Sequence, residues 1–274
     1  MYMKAKKLLL NKVNDMNEIA KKEKTDVVAF DNSVFLEDAD TAAENMTADS
    51  FQIPRVYLLQ QMSNAVQKSG DDYIEGAEAG KILESASQTI YDGEKGITFV
   101  PAYYERTWVE YGNDGKKFER DHGTDLSVVD GGKHVGKTYE FPVDNGNLIR
   151  ETGNYYGLLV DDAGANPAVL GMSKTNLTSS KPFNMMMARL RVPHPKNKGE
   201  TFNPASFWNA YTLTTQPKKW DEGTSFIYKV APMFDANSGG VVANLPNGGE
   251  IYMKAKALRE DIKQGAAKAS EDVM

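Results

Sequence analysis

The chain has no cysteine and only three histidines among its 274 residues. Without cysteine there can be no disulfide, no thiolate metal ligand and no cysteine nucleophile, and this composition fits a reducing cytoplasm. His122, His134 and His194 do not form a close-spaced set of metal ligands. We therefore expect neither a bound metal nor any other cofactor.

Long apolar runs are also missing from the sequence. No stretch approaches the ~18 apolar residues that suggest a membrane-spanning helix, and the apolar run at 8–10 is too short for a signal peptide. There is no G-x-S-x-G turn and no recognisable Ser/His/Asp arrangement, which are signs of a serine nucleophile. These absences predict a cytoplasmic protein that makes no membrane contact and is not an enzyme.

Positive charge is scarce overall but dense in one segment. The net charge is −6, yet residues 172–219 contain eight cations and one acid, Glu200, which gives a local balance of +7. Five aromatic residues are interleaved with these cations: Phe183, Phe202, Phe207, Trp208 and Tyr211. Cations that neutralise phosphates, beside rings on which bases stack, are the components of a single-strand nucleic-acid surface. The alternative interpretation is a solvated lysine-rich face beside ordinary core aromatics.

Composition divides the chain into three parts. Residues 1–50 read as an N-terminal extension, in which a basic helix at 3–24 precedes an acidic linker at 31–50. Residues 51–249 read as a mainly β core, an OB-fold-like barrel, because β-branched and aromatic runs alternate with Gly, Asn and Pro. Residues 250–274 read as a C-terminal helix over 250–268 followed by a short acidic tail.

The β core is predicted from seven runs of strand-favouring residues. The predicted strands are 97–112, 138–143, 155–161, 168–174, 185–192, 208–215 and 225–234. Pro101 predicts an edge or a bulge in the first of them, and 162–167 predicts a hairpin loop. Residues 185–187 are three methionines that we interpret as part of a core strand. The segment 194–199 predicts a loop tip that could close over a bound strand.

A phosphate-loop pattern, G-x-x-x-x-G-K-[ST], occurs at residues 131–138. In that motif backbone N–H groups cradle phosphates, the Lys reaches the terminal phosphates and the hydroxyl holds Mg²⁺. A working loop follows a buried strand and opens a helix. Here the residues that follow are β-favouring, and Pro142 would interrupt a helix in its second turn. A nucleotidase built on this loop is therefore the third of three functional hypotheses.

Several sequence blocks resemble tailed-phage proteins of the replication module, over roughly residues 53–230. The blocks are residues 53–60, 73–77, 91–93, 96–101, 104–106, 109–110 and 208–215. The resemblance implies an OB-fold-like barrel that binds single-stranded DNA during phage replication or recombination in the host-cell cytoplasm. It also implies that the tail at 271–274 docks phage replication proteins, and a homo-oligomer is compatible with it.

The first hypothesis is therefore sequence-tolerant single-stranded DNA binding. The second is a phage structural or assembly protein without nucleic-acid binding. The DNA-binding residues that we predict are Tyr104, Arg106, Trp108, Lys174, Lys181, Arg189, Arg191, Lys196, Lys198, Trp208, Tyr211, Lys218 and Lys219. The cations would follow the backbone of the strand, and the aromatic residues would stack on its bases.

Overall fold

The computed structural model describes residues 52–112, 117–129, 140–142, 145–221, 223–265 and 268–269. All of them belong to one of the two units into which the chain divides, Thr47–Met274. The predicted helix at 3–24, the acidic linker at 31–50, the phosphate-loop pattern at 131–138 and the tail at 271–274 lie outside the described residues.

Strands dominate the described part of the chain, so the prediction of a mainly β protein is confirmed. The strands are β1 (Gln52–Ile53), β2 (Arg55–Leu58), β3 (Ile82–Glu84), β4 (Ile90–Tyr91), β5 (Ile97–Tyr111), β6 (Phe118–Asp121), β7 (Glu140–Pro142), β8 (Leu148–Asp161), β9 (Gly164–Ser173), β10 (Val192–Pro193), β11 (Thr201–Phe202), β12 (Tyr211–Trp220), β13 (Gly223–Pro232) and β14 (Lys268–Ala269). The α-helices within it are α1 (Leu177–Arg189), α2 (Gly240–Asn244) and α3 (Gly248–Lys263). The predicted C-terminal helix corresponds to α3.

Ten of these strands form one sheet, in the order β13-β12-β5-β8-β9-β2-β3-β4, with β6 beside β5 and β7 beside β8. Its centre is the long antiparallel pair of β5 and β8, which runs from Thr98 opposite Val160 to Tyr111 opposite Leu148. The register shifts between Pro101 and Tyr103, so the bulge predicted at Pro101 is confirmed.

The large sheet is strongly curled into a half-barrel. Hydrogen bonds join the end strand β13 to the segment after β2, because Phe226 on β13 donates its N–H to Gln60 Oε1 at 2.8 Å. In return Gln60 Nε2 donates to the Phe226 carbonyl at 2.9 Å. The curl therefore brings β13 close to the segment after β2, although four strands lie between β13 and β2 in the sheet order.

Both faces of the sheet are covered, and each carries its own apolar cluster. On one face Phe183 of α1 packs among Phe99, Tyr155 and Tyr211. On the other face Ile251 of α3 and its neighbours pack against Val100, Ala102, Tyr156 and Phe207 on and beside the sheet. The helices are thus held to the sheet by aromatic and branched side chains, and α1 and α3 flank the same region of β5.

The predicted strand at 185–192 is wrong, because residues 177–189 form α1. Ser180, Phe183 and Met187 recur at helical spacing, and all three face the sheet cluster or its edge. Met185, read as a core residue, is 45% exposed on the outer side of the helix. The hairpin loop predicted at 162–167 is also shorter than expected, because β9 already begins at Gly164.

None of the helices in the described part of the chain is long and apolar enough to span a membrane.

Candidate nucleic-acid interface

The hairpin of β10 and β11 is held against the C-terminal end of α1. Asn203, directly after β11, donates from Nδ2 to the carbonyls of Leu190 at 2.8 Å and Ala188 at 3.1 Å. These carbonyls belong to the last turn of the helix and the residue that follows it, where backbone acceptors need partners from outside the helix. The hairpin therefore has a fixed position relative to α1.

The loop between β10 and β11 is organised by one histidine ring. His194 Nδ1 accepts the backbone N–H groups of Lys196 at 3.1 Å and Asn197 at 3.0 Å. The backbone N–H of His194 donates to the Glu200 carbonyl at 2.9 Å and closes the loop. The loop tip predicted at 194–199 is thus present, and the side chains of Lys196 and Lys198 are exposed on it.

Four of the predicted cations lie together at this end of α1. Arg189, Arg191, Lys196 and Lys198 are all exposed, and none forms a salt bridge with a carboxylate of the described residues. The ring of Phe202 on β11 is 39% exposed and lies 5.7 Å from the His194 ring. We call these four cations and Phe202 the basic hairpin surface.

The other predicted cations lie on different elements. Lys174 and Lys181 are exposed at the N-terminal end of α1, and Lys181 is about 12 Å along the helix axis from Arg189, at 1.5 Å per residue. Lys218 and Lys219 lie near the tip of the β12–β13 hairpin, where Lys218 Nζ is 4.2 Å from the Trp220 ring centroid. The basic segment 172–219 is therefore not one continuous patch.

Two of the predicted stacking rings lie in the core. Tyr211 is 1% exposed and packs edge-on against Phe183 at 4.9 Å. Trp108 is 4% exposed and packs edge-on against Phe141 at 5.6 Å. Because a base needs an open ring face, we leave both out of the interface. Burial also raises the pKa of Tyr211 to about 12.

Arg106 and Trp208 are placed less favourably than the sequence suggests. Arg106 is exposed and lies on the same face of β5 as Trp108, as predicted. However, its guanidinium is already engaged, 5.4 Å from the Trp108 ring centroid and 3.9 Å from the Glu151 carboxylate. Trp208 is half-buried in a 3₁₀ turn, and its indole packs so closely on Gly240 that a Cβ there would lie 2.9 Å from the ring. Neither Arg106 nor Trp208 belongs to the basic hairpin surface.

Tyr104 lies beside a pocket of about 560 Å³ that adjoins the basic hairpin surface. Its walls come from the bulge of β5, from α1, from the segment after β11 and from α3. They include Tyr103, Tyr104, Asn184, Met187, Asn203 and Arg259. The hydroxyl of Tyr155 at the base of the pocket donates to Asn184 Oδ1 at 2.9 Å, and burial raises the pKa of that hydroxyl.

Sequence reasoning missed two residues of this region. Phe202 was visible as one of the aromatics among the cations, but its exposure depends on the β10–β11 hairpin. Arg259 had no usable signal, because it lies on α3, 157 residues after the Ala102 carbonyl that it contacts at 3.4 Å. Only the fold brings Phe202 on the basic hairpin surface and Arg259 on the pocket wall to adjoining positions.

The described flanks of the phosphate-loop pattern do not have the required order of elements. A 3₁₀ turn, Leu126–Val129, precedes the pattern and the strand β7 follows it. A phosphate loop needs a strand before it and a helix after it, so that the helix N-terminus faces the anion. The flanks therefore agree with the sequence argument against a nucleotidase.

The curled sheet, with a basic hairpin and a pocket at one edge, defines the class of this molecule as a β protein with a candidate ligand surface. Comparison with protein families gives its particular membership. The family model described as "Pam3 phage gp34-like protein" matches residues 22–268, so the chain belongs to this phage family. Comparisons with curated proteins and with solved structures gave no match.

Proposed function

We propose that this protein binds single-stranded DNA with little sequence preference, during phage replication or recombination in the host cytoplasm. It would do so without catalysing a chemical step, in the manner of OB-fold proteins, which combine a cationic groove with stacking rings. The resemblance of residues 53–230 to replication-module proteins and the membership of a phage family support the biological setting.

The observation that carries the proposal is the basic hairpin surface. Four exposed cations, none in a salt bridge within the described residues, lie at the end of α1 and on the β10–β11 loop, beside an exposed Phe202, in a chain whose net charge is −6. The carboxylate of that loop, Glu200, accepts from Asn197 Nδ2 at 2.8 Å. Such cations attract phosphates and release their counterions, while an exposed ring offers a stacking face to any base. The acidic remainder of the molecule would confine the nucleic acid to this surface.

Single strands fit this surface better than duplex. The bases of a single strand are accessible for stacking, whereas those of a duplex are already stacked and paired. Phe202 would therefore contribute only to the binding of single strands, whereas the four cations would contribute to the binding of single strands and of duplex. We expect preference for the single strand to depend on Phe202 and overall affinity to depend on the cations.

Fluorescence anisotropy of a labelled oligo-dT would test the proposal. The variant Lys196→Glu/Lys198→Glu should weaken binding by about tenfold or more, because it replaces two phosphate contacts by repulsion. The matched control is Lys254→Glu/Lys256→Glu, which makes the same charge change at exposed positions on α3. The control should bind as the parent does, and equal losses in both variants would contradict a local site.

Phe202→Ala separates stacking from charge. We expect it to cost on the order of 1–3 kcal/mol of single-strand affinity and to leave the affinity for duplex unchanged, so that duplex competes more effectively with oligo-dT. Absence of binding to oligo-dT by the parent protein at low salt would overturn the proposal. A large stable oligomer in the same experiment would then favour the assembly hypothesis.

A further inference from the structure

The edge of β5 has a gap between its two strand neighbours. β12 pairs with β5 only at Ile97–Phe99, and β6 pairs only at Val109–Tyr111. Within the described residues no strand pairs with this edge between residues 100 and 108. The gap is therefore nine residues long and lies in the middle of the sheet's longest strand.

The backbone of Tyr104 faces this gap. Trp108 donates its N–H to the Gly123 carbonyl at 2.9 Å and accepts from the His122 N–H at 2.8 Å, so its polar groups point away from β8. In an antiparallel ladder the direction of these groups alternates with each residue. Because β5 and β8 keep one register from Tyr103 to Tyr111, the N–H and C=O of Tyr104 point the same way as those of Trp108.

The pocket occupies this part of the edge. Ser206 Oγ donates to the Ala102 carbonyl at 3.1 Å, and Arg259 Nη1 donates to the same carbonyl at 3.4 Å. Both residues also line the pocket, which fixes its position on the open side of β5. Its volume of about 560 Å³ is in the usual range for small-molecule sites, about 300–1,000 Å³.

The wall of the pocket contains side chains that could contact both an aromatic ring and an anionic group of a ligand. Tyr104 is half-buried, with its ring 4.9 Å from that of Tyr155, and Met187 lies on the wall formed by α1. Arg259 forms no salt bridge within the described part of the chain, so most of its five N–H donors remain for a ligand. A guanidinium with open donors matches the geometry of a phosphate.

We propose that this pocket binds one nucleotide, with its base beside Tyr104 and Met187 and its phosphate at Arg259. The edge N–H and C=O of Tyr104 supply one donor and one acceptor for the base. Every DNA base carries at least one hydrogen-bond donor and one acceptor, so this contact is compatible with weak sequence preference.

The position of the pocket links it to the proposed function, on which this inference rests. Ala188 on its wall precedes Arg189, and Asn203 follows Phe202. A strand with one nucleotide in the pocket would therefore continue directly onto the basic hairpin surface. A free nucleoside monophosphate has the same chemistry, so the experiment must distinguish the two sources.

Titration of the full-length protein with dTMP would test the pocket itself. In protein labelled with ¹³C at the methionine methyl groups, we expect dTMP to shift the Met187 signal, assigned with Met187→Leu. Arg259→Gln should weaken dTMP binding by at least about tenfold and leave the weaker binding of thymidine unchanged, because thymidine has no phosphate. Thermal melting would check that Arg259→Gln remains folded.

An unshifted Met187 signal, or an equal effect of Arg259→Gln on dTMP and thymidine, would overturn the proposal. Competition identifies the source of the nucleotide. We expect saturating dTMP to weaken oligo-dT binding, and simultaneous binding of the two would overturn the placement of a strand nucleotide in the pocket. Retained dTMP binding without any oligo-dT binding would overturn the proposed function and leave the pocket as a mononucleotide site.

Discussion

At the scale of single residues, the Glu110 carboxylate is surrounded by three side-chain hydrogen-bond donors. It accepts from Asn147 Nδ2 at 2.7 Å, Asn145 Nδ2 at 3.0 Å and His122 Nε2 at 2.8 Å. These bonds stabilise the ionised form and lower the pKa of Glu110 to about 2. Glu110 thereby ties β5 to the residue after β6 and to the segment before β8.

Glu110→Gln should change how stability depends on pH. The pKa of Glu110 is lower in the folded protein than the usual 4.5, so its contribution is complete above pH about 4.5 and is lost as pH falls toward 2. We expect the variant to lose about 1–3 kcal/mol of unfolding free energy at pH 7. Its stability should also fall less steeply than that of the parent between those two pH values, as measured by urea unfolding.

The control for this prediction is Glu119→Gln on β6. Glu119 pairs with Lys117 at 2.9 Å, but the Lys117 side chain is 74% exposed. Exposed pairs contribute about 0–1 kcal/mol, so this variant should resemble the parent protein at pH 7. A pH profile of Glu110→Gln that matches both the parent and the control would show that the three hydrogen bonds do not stabilise the carboxylate.

Residue identities alone could not separate stacking rings from core rings. Tyr104, Trp108 and Tyr211 have the same chemical capacity to stack, and the alternation of β5 placed Arg106 and Trp108 correctly on one face. However, α1 and Phe141 cover Tyr211 and Trp108, and strand alternation carries no information on what covers a face. The core on both sides of the sheet is what removes these rings from the candidate site.

At the scale of elements, the close pairing of β5 and β8 at the bulge depends on a glycine opposite it. Gly157 pairs with Pro101, and a Cβ at Gly157 would lie 2.4 Å from the Val100 carbonyl oxygen and 2.6 Å from Phe99 Cζ. The first of these atoms belongs to the backbone and cannot rotate away. The close approach of the two strands at the bulge therefore requires the absence of a side chain.

Gly157→Ala should destabilise the protein by about 2 kcal/mol or more, because the backbone of β5 or β8 must shift to relieve the contact. Thermal or urea unfolding would measure the loss. Gly249→Ala, in the first turn of α3, is the control, since a Cβ there meets no atom within 4 Å. We expect the control to be neutral or more stable by up to about 1 kcal/mol, and equal stabilities of the two variants would contradict the packing argument.

The strands were largely predictable because β-branched and aromatic residues dominate them, as in β5, β8, β12 and β13. The helix α1 was not, because Pro182 and Asn184 weaken its helical pattern and the three adjacent methionines suit a strand equally well. Tertiary packing decides this segment. Ser179 Oγ donates to the Tyr228 carbonyl at 2.6 Å, a contact between elements that no local pattern contains.

At the scale of the whole molecule, positive charge is concentrated on a minority of an acidic surface. Four cations on the basic hairpin surface would contact about four phosphates. For a single strand the logarithm of the binding constant falls with the logarithm of salt concentration by about 0.7 per phosphate contact. The expected slope is therefore about −3.

Oligo-dT affinity should fall about 50-fold between 50 mM and 200 mM salt, as follows from that slope. Lys196→Glu/Lys198→Glu should roughly halve the slope, since two of the four contacts are lost. Anisotropy titrations at several salt concentrations would measure both values. A slope near zero in the parent protein would mean that phosphates are not the groups recognised, whatever the affinity.

The gap along the edge of β5 also bears on whether a second copy of this protein could pair with it. An open strand edge is a template on which a second chain can add a strand, the usual route to domain swapping and fibrous aggregates. Here Pro101 has no N–H to donate, and Ser206 and Arg259 already occupy the Ala102 carbonyl. The same side chains that shape the pocket thus block the edge at residues 101 and 102 against an added strand, and leave the polar groups of Tyr104 open to a small ligand.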